Sequence, residues 1–321
     1  MFPPSTSENF KTPAPAGTAS GVFRLADSYR DVAIKVSLVE DLGPDFDDAL
    51  DALIKGETKG LRDVTTDAIF GGETGEAFVV AKSEGVLSGS LPFRKTFELI
   101  DPGVAVDFLL EDGGAFRKGD RVASVKGKMA SLLRAERTAL NFLGHLSGVA
   151  TAVDKLARLL EGSGVALLDT RKTLPCLRAL EKSAVLHGGG KNHRMGLHDM
   201  VLIKDNHIDG AGSVAEAVRR VRAVHGGRFR IEVETRDLNE VAEALSSGVD
   251  RIMLDNMSAR RIREAALLAR GRAEVEVSGN LNASKIRRLR KLPIDYVSVG
   301  SVTHSAPQAD FSMQVSFPPG R

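Results

Sequence analysis

The sequence predicts an α/β protein in which an N-terminal α+β domain with an antiparallel sheet precedes a barrel of parallel βα units. Three observations lead there. The chain has 321 residues, 42% of them hydrophobic, enough for one large core and a smaller one beside it. As far as Leu143, short strand-like runs are irregularly spaced with few helix-length segments between them, the mark of an α+β domain. Beyond that point, short β-rich runs recur regularly, each ending on a polar residue or glycine.

Met1 to about Gly21 is rich in Pro, Ser, Thr and Ala and lacks an apolar signal-peptide core, so a disordered extension is expected. Asp63-Val64-Thr65-Thr66-Asp67 reads as a helix cap or turn, Ala77 to Ala81 as a strand, and Glu84 to Gly89 as a glycine-bounded turn. Val104 to Leu110 and Asp120 to Val125 are further strands. Arg134 to Leu146 and Val149 to Leu160 show helical spacing and read as two helices leading into the second domain. There, Val165–Leu168 ends in Asp169, Met200–Ile203 in Lys204, Phe229–Val233 in Glu234, Arg251–Leu254 in Asp255, Glu274–Val277 in Ser278, and Tyr296–Val299 in Gly300. Strand and helix alternating at roughly 20 to 35 residues per unit point to a closed or nearly closed barrel. A doubly wound open sheet shares this periodicity; the lack of Gly-x-Gly-x-x-Gly after a first strand argues against it.

Charge excludes some partners. With 44 Lys and Arg against 42 Asp and Glu, the formal charge is +2, too small a field to predict nucleic acid or a charged membrane surface as partner. No apolar run approaches the roughly 18 residues that cross a bilayer. The single cysteine, Cys176, forbids an intramolecular disulfide or a cysteine metal cage and fits a reducing compartment, so the expected location is cytoplasmic.

Barrel enzymes carry their chemistry at the carboxyl ends of the strands, where three groups of residues would meet. Arg171, Lys172, Arg194 and Lys204, with Arg137, suit carboxylates and phosphates. Singly, such residues are more often solvated surface charges; their recurrence at the same ends of strands favours a site. Glu234 and Asp255 could hold Mg²⁺ or accept hydrogen bonds from a sugar diol, or else pair with nearby lysines. Ser278-Gly279-Asn280 and Gly300-Ser301 leave the last two strands as small-residue turns, where barrels frequently hold phosphate. His193, beside Arg194, is expected to donate a hydrogen bond to an anion, and His207 is ambiguous. Zinc is not expected, for want of a cysteine cluster or His-x-x-x-His pair.

The segments Glu136–Asn141, Asp169–Pro175, Gly188–Arg194, Leu202–His207, Leu254–Asn256 and Val299–Ser305 closely resemble the quinolinate phosphoribosyltransferase family, also called carboxylating nicotinate-nucleotide pyrophosphorylases. The likeness runs from about Val36 to Met313. It implies a type II phosphoribosyltransferase fold: an N-terminal α/β sandwich over 28–143 after an extension over 1–27, an incomplete TIM-like α/β barrel over 144–305, and a segment 306–321 returning to the N-terminal domain. The implied reaction joins quinolinate and phosphoribosyl pyrophosphate to give nicotinate mononucleotide, pyrophosphate and CO₂ in NAD biosynthesis, with Mg²⁺ as cofactor. The implied assembly is a homodimer, or a higher oligomer, with Arg137 crossing the subunit boundary. By the same resemblance Arg171, His193, Arg194 and Lys204 bind the pyridine dicarboxylate. Lys172, Glu234 and Asp255 surround diphosphate, Mg²⁺ and ribose, while Ser278, Gly279, Gly300 and Ser301 cradle the 5′-phosphate; Thr170, Asn280 and His304 complete the expected substrate-binding set. Lys172, Lys204, Glu234 and Asp255 are the expected catalytic residues.

The chain departs from the family pattern at Asn280, where a second glycine is common, and at Cys176 and Ser183. It also carries an insertion over Pro44 to Leu61, expected on the surface. Rival readings are the ModD-like proteins associated with molybdenum transport, a nicotinate-specific transferase, a phosphosugar sensor, and a nucleic-acid binder using Lys285–Lys291. The cations Arg137, Arg171, Arg194 and Lys204 favour a dicarboxylate, and Lys285–Lys291 lacks the aromatics of a stacking platform.

Overall fold

The structure is a computed structural model that describes residues 20–316, with side chains from residue 31 on. Residues 1–19 of the expected extension lie outside it, and residues 20–27 belong to the first helix. In chain order the first part contains α1 (Ser20–Leu42), α2 (Phe46–Ile54), α3 (Val64–Ile69), β1 (Thr74–Ala81), β2 (Gly85–Val86), α4 (Ser90–Ile100), β3 (Ala105–Phe108), β4 (Ala115–Phe116) and β5 (Arg121–Lys128). There follow α5 (Met129–Ala157), β6 (Ala166–Leu168), α6 (Arg178–His187), β7 (Val201–Ile203), α7 (Asp205–Ala211), α8 (Val214–His225), β8 (Ile231–Thr235) and α9 (Leu238–Ser246). The chain ends with β9 (Arg251–Asp255), α10 (Ala259–Ala269), β10 (Glu274–Ser278), α11 (Ala283–Leu289), β11 (Tyr296–Ser298), α12 (Ser301–His304) and β12 (Phe311–Ser316).

The first sheet has the order β12-β1-β5-β3 and is antiparallel throughout. Its partners across the core include Phe93 and Phe97 of α4, both fully buried. The insertion over 44–61 is not a mere surface excursion. Asp45 caps α2 by accepting from the Asp48 amide, and Ala49, Ala52 and Leu53 bury the helix's apolar face together with Leu61. Asp63 caps α3 in the same way, through the Thr65 and Thr66 amides.

Where two helices were expected over 134–160, α5 is one continuous helix of 29 residues. Gly148 does not break it but makes room: a Cβ there would lie 2.2 Å from the Pro307 carbonyl oxygen, and one on Gly144 would lie 2.8 Å from that of Ala309. The segment 307–309 crosses α5 over these glycines, tied by Ala309 N–H to Gly144 O at 2.9 Å, and so brings β12 back to β1.

The six parallel strands of the second part have the order β6-β11-β10-β9-β8-β7. Each strand from β7 to β11 lies beside its successor, and the last pairs with the first. That is the winding of a barrel; a doubly wound sheet would reverse direction from its middle. The barrel is incomplete. Among the described residues β6 and β7 do not pair, and a single bridge from Leu168 to Lys191 extends the β6 edge. Outward-facing Ile231, Val233, Ile252, Leu254, Val275, Val277 and Val297 are buried, as parallel strands covered by helices require.

Candidate active site

At the carboxyl ends of the barrel strands lies a cavity of about 730 Å³. Thr170, Arg171 and Lys172 reach it after β6, His193 and Arg194 from the α6–β7 loop, and Lys204 after β7. Glu234 enters from β8 and Asp255 from β9; Ser278, Gly279 and Asn280 follow from β10, and Gly300, Ser301 and His304 from β11. Arg137 is the exception: it is exposed on α5 and lines a separate cavity of about 490 Å³ with Glu40, Asp41, Asn141 and His145. His207 also stays out, and its Nδ1 accepts from the Lys204 amide at 2.9 Å, capping α7.

The cation-bearing loops are anchored from beneath. Asp169, the first residue after β6, is buried and accepts from Lys182 Nζ at 2.5 Å and from the His193 amide at 2.8 Å. Lys182 also donates to the His193 carbonyl at 3.1 Å, so one buried pair fixes both the 169–172 turn and the His193-Arg194 segment. Burial pushes the Asp169 carboxyl up and the Lys182 ammonium down, against their mutual attraction. Arg194 is steadied by donating to the Met200 carbonyl at 3.1 Å; burial and then neighbouring Arg171 lower its pKa. A cation held next to another cation in a half-dry cavity is electrostatically unsatisfied, which is what an incoming dianion relieves.

His193 lines the cavity, with both ring nitrogens facing protein groups. Its Nδ1 accepts from the Arg194 amide at 2.7 Å, so in the neutral ring the proton sits on Nε2. That nitrogen faces two buried acids at the base of the cavity, 3.0 Å from Glu232 Oε2 and 3.6 Å from Glu276 Oε2, off the line of a hydrogen bond. His193, Glu232 and Glu276 bring their ligand atoms within 4.8 Å of one another, yet a protonated Nε2 has no lone pair for a metal. The base is instead a charge cluster. Arg251 meets Glu276 at 3.1 Å and Glu274 at 3.0 Å, and burial pushes Glu232 and Glu276 up to about 7.

Of the acids lining the cavity, Glu234 and Asp255 sit on the neighbouring strands β8 and β9. Burial, opposed by Lys204 and supported by Asp255, raises the Glu234 pKa, and Lys204 Nζ stands 4.0 Å from its Oε2. Lys172 is held through its backbone, its amide donating to Thr170 Oγ1 at 3.0 Å and its carbonyl accepting from Thr303 Oγ1 at 2.6 Å. The small-residue turns have geometric reasons. Gly279 has φ 103°, and a Cβ there would lie 2.3 Å from Asn256 Oδ1. Asn280 adopts φ 45°, the left-handed geometry that Asn tolerates, and Lys285 Nζ donates to its carbonyl at 2.9 Å. Cys176 likewise has φ 62°.

Sequence reading missed Lys182, Glu232, Arg251 and Glu276. Glu232 and Glu276 had a signal: an acid inside an otherwise apolar parallel strand.

A singly wound, open α/β barrel whose mouth combines several cations, two acids and two glycine turns defines a barrel enzyme built for a small polyanion. Family models described as quinolinate phosphoribosyl transferase, N-terminal domain, and quinolinate phosphoribosyl transferase, C-terminal domain, match residues 63–147 and 149–314. A probable nicotinate-nucleotide pyrophosphorylase [carboxylating] of Bacillus subtilis is 39% identical over 260 residues, 81% of this chain and 90% of the relative. NadC from Streptococcus pyogenes superposes with a TM-score of 0.81 at 40% identity, covering 94% of this chain and 99% of that one. The nicotinate-nucleotide pyrophosphorylase from Francisella tularensis gives a TM-score of 0.82 at 34% identity, covering 90% and 97%. The chain belongs to the quinolinate phosphoribosyltransferase family.

Proposed function

We infer that this chain is a quinolinate phosphoribosyltransferase, converting quinolinate and phosphoribosyl pyrophosphate to nicotinate mononucleotide, pyrophosphate and CO₂ in NAD biosynthesis. The observation that carries the reading is one cavity lined together by Arg171, Arg194, Lys204, Glu234, Asp255 and the Gly279 and Gly300 turns. Family membership supports the same reaction.

Arg171 and Arg194 clamp the ring carboxylates, and Lys172 and the two turns take the phosphates. Holding both anions with the ring nitrogen facing C1 of the sugar supplies much of the acceleration, because encounter entropy is already spent. The nitrogen attacks C1 as pyrophosphate leaves. The C2 carboxylate then departs as CO₂, its bonding electron pair stays on C2 beside the cationic nitrogen, and a proton from solvent completes the ring. Lys204 assists by stabilising charge at this end of the pocket.

Glu234 and Asp255 offer hard oxygen ligands beside the phosphate turns, which fits Mg²⁺, an ion that keeps waters and substrate oxygens in its shell. When bound, it neutralises charge on the departing pyrophosphate. The working form is a dimer in which Arg137, outside the cavity of its own chain, serves the partner's site. The lone Cys176 supports a cytoplasmic location. No helix among the described residues is long and apolar enough to cross a membrane.

Purified protein given phosphoribosyl pyrophosphate and Mg²⁺ with either quinolinate or nicotinate tests the substrate. CO₂ release with quinolinate is expected; turnover of nicotinate alone overturns the reading.

A further inference from the structure

The stretch after β6 is a wall between two cavities. Thr170, Arg171 and Lys172 line the first, and Leu174 and Leu177 line the second. This wall has no regular secondary structure from 169 to 177, so its shape depends on what grips it. On the Lys172 side Thr303 grips it, and Arg178 of α6 donates to Thr173 Oγ1 at 3.0 Å and to the Arg171 carbonyl at 3.4 Å. On the far side the grip is Glu181 of α6, whose carboxylate is wholly buried. Both its oxygens face the Leu174 amide, at 3.4 and 3.3 Å, and His145 Nε2 donates to Oε1 at 2.8 Å.

His145 belongs to α5 and stands two turns beyond Arg137. Arg137, Asn141 and His145, spaced four residues apart, form one face of that helix and line the second cavity together. A continuous chain of contacts therefore runs from this face through Glu181 to the segment that presents Arg171 and Lys172.

We propose that Glu181, locked in place by His145, is a positioning residue that sets the Arg171–Lys172 wall of the active site by holding the Leu174 amide. Glu181 does not reach the first cavity and acts only through the loop. The proposal deepens the reaction assigned above and rests on it for the kinetic part of its test.

The experiment compares Glu181→Ala and Glu181→Gln with wild type by steady-state kinetics per folded protein and by hydrogen exchange over residues 171–177. Glu181→Ala is expected to raise KM for both substrates about tenfold or more, because small misplacements of positioning groups are costly, and to speed exchange in the segment. Glu181→Gln keeps an acceptor for Leu174, so its KM values should stay within about threefold. A folded Glu181→Ala protein with wild-type KM and exchange, its loss confined to melting temperature, overturns the proposal. If that variant does not fold, His145→Asn, which frees the carboxylate on one side only, should still speed exchange at 171–177, and unchanged exchange there overturns the clamp. Lack of wild-type turnover would count against the assigned reaction instead, and the exchange measurement would still test the clamp.

Discussion

Lys182 Nζ stands 2.5 Å from Asp169 Oδ1, with 1% and 0% of the two side chains exposed. The pair joins the end of β6 to the His193-Arg194 loop, at the cost of keeping two charges out of water. Removing one partner leaves the other buried and unpaired, so Lys182→Met is expected to cost about 3–5 kcal/mol in urea unfolding. Adding Asp169→Asn, which removes the orphan charge and keeps an acceptor for the His193 amide, should recover part of the loss. A double variant no more stable than the single would show that the charge pair is not what matters.

The buried acids at the base of the cavity predict a pH slope. Glu276 ordinarily titrates near 4.5, and burial, with Glu232 beside it, pushes it up to about 7. Between these values the unfolded chain has released its proton while the folded chain keeps it. The folded state then binds more protons, and this contribution to stability, complete below 4.5, is lost as pH rises through about 7. His193, lowered chiefly by burial, works in the opposite sense, so the telling quantity is a difference. Urea midpoints at pH 5 and pH 8 should fall less in Glu276→Gln than in wild type; equal slopes would exclude Glu276 as their source.

Arg194 combines a planar fork with burial and a neighbouring guanidinium. Lysine keeps the charge but loses the bidentate geometry and the bond to the Met200 carbonyl. Arg194→Lys is therefore expected to raise KM for quinolinate roughly 10- to 100-fold while changing KM for phosphoribosyl pyrophosphate much less. Intact quinolinate kinetics in Arg194→Ala would remove Arg194 from the pocket.

Much of the barrel could be read because its strand ends interrupt apolar runs with a polar residue: Asp169, Lys204, Glu234, Asp255 and Ser278 all stand at such breaks. Side chains buried inside the barrel were harder to see. Glu232 lies two residues before Glu234 and shares its inward face, but an alternating Ile-Glu-Val-Glu run reads equally well as a strand with a solvated side. Lys182 occupies a helix position that resembles an exposed face, and only the fold shows that its ammonium turns toward Asp169. The two helical stretches either side of Gly148 form one helix, and the reason for that glycine, the crossing of Pro307, lies more than 150 residues away in sequence.

Gly279 and Asn280 separate space from backbone conformation. At Gly279 the positive φ and the contact with Asn256 both exclude a side chain, so Gly279→Ala should lower kcat/KM for phosphoribosyl pyrophosphate by about tenfold or more. Asn280 already sustains φ 45°, and Asn280→Gly should leave kcat/KM within about threefold, since Asn pays little for left-handed geometry. A large gain in Asn280→Gly would show that the Asn side chain obstructs the phosphate.

Arg137 gives the sharpest test of assembly. It lies outside the cavity that holds Arg171 in the same chain, so direct contact with substrate would have to be made in another copy. Arg137→Ala and Arg171→Ala are each expected to lose most activity as homodimers. Once their subunits exchange, a mixed dimer carries both lesions at one site and none at the other. Random pairing makes half the dimers mixed, each with one intact site, so an equimolar mixture should recover up to about one quarter of wild-type activity. If subunit exchange is demonstrated and no activity returns, Arg137 does not serve a partner's site.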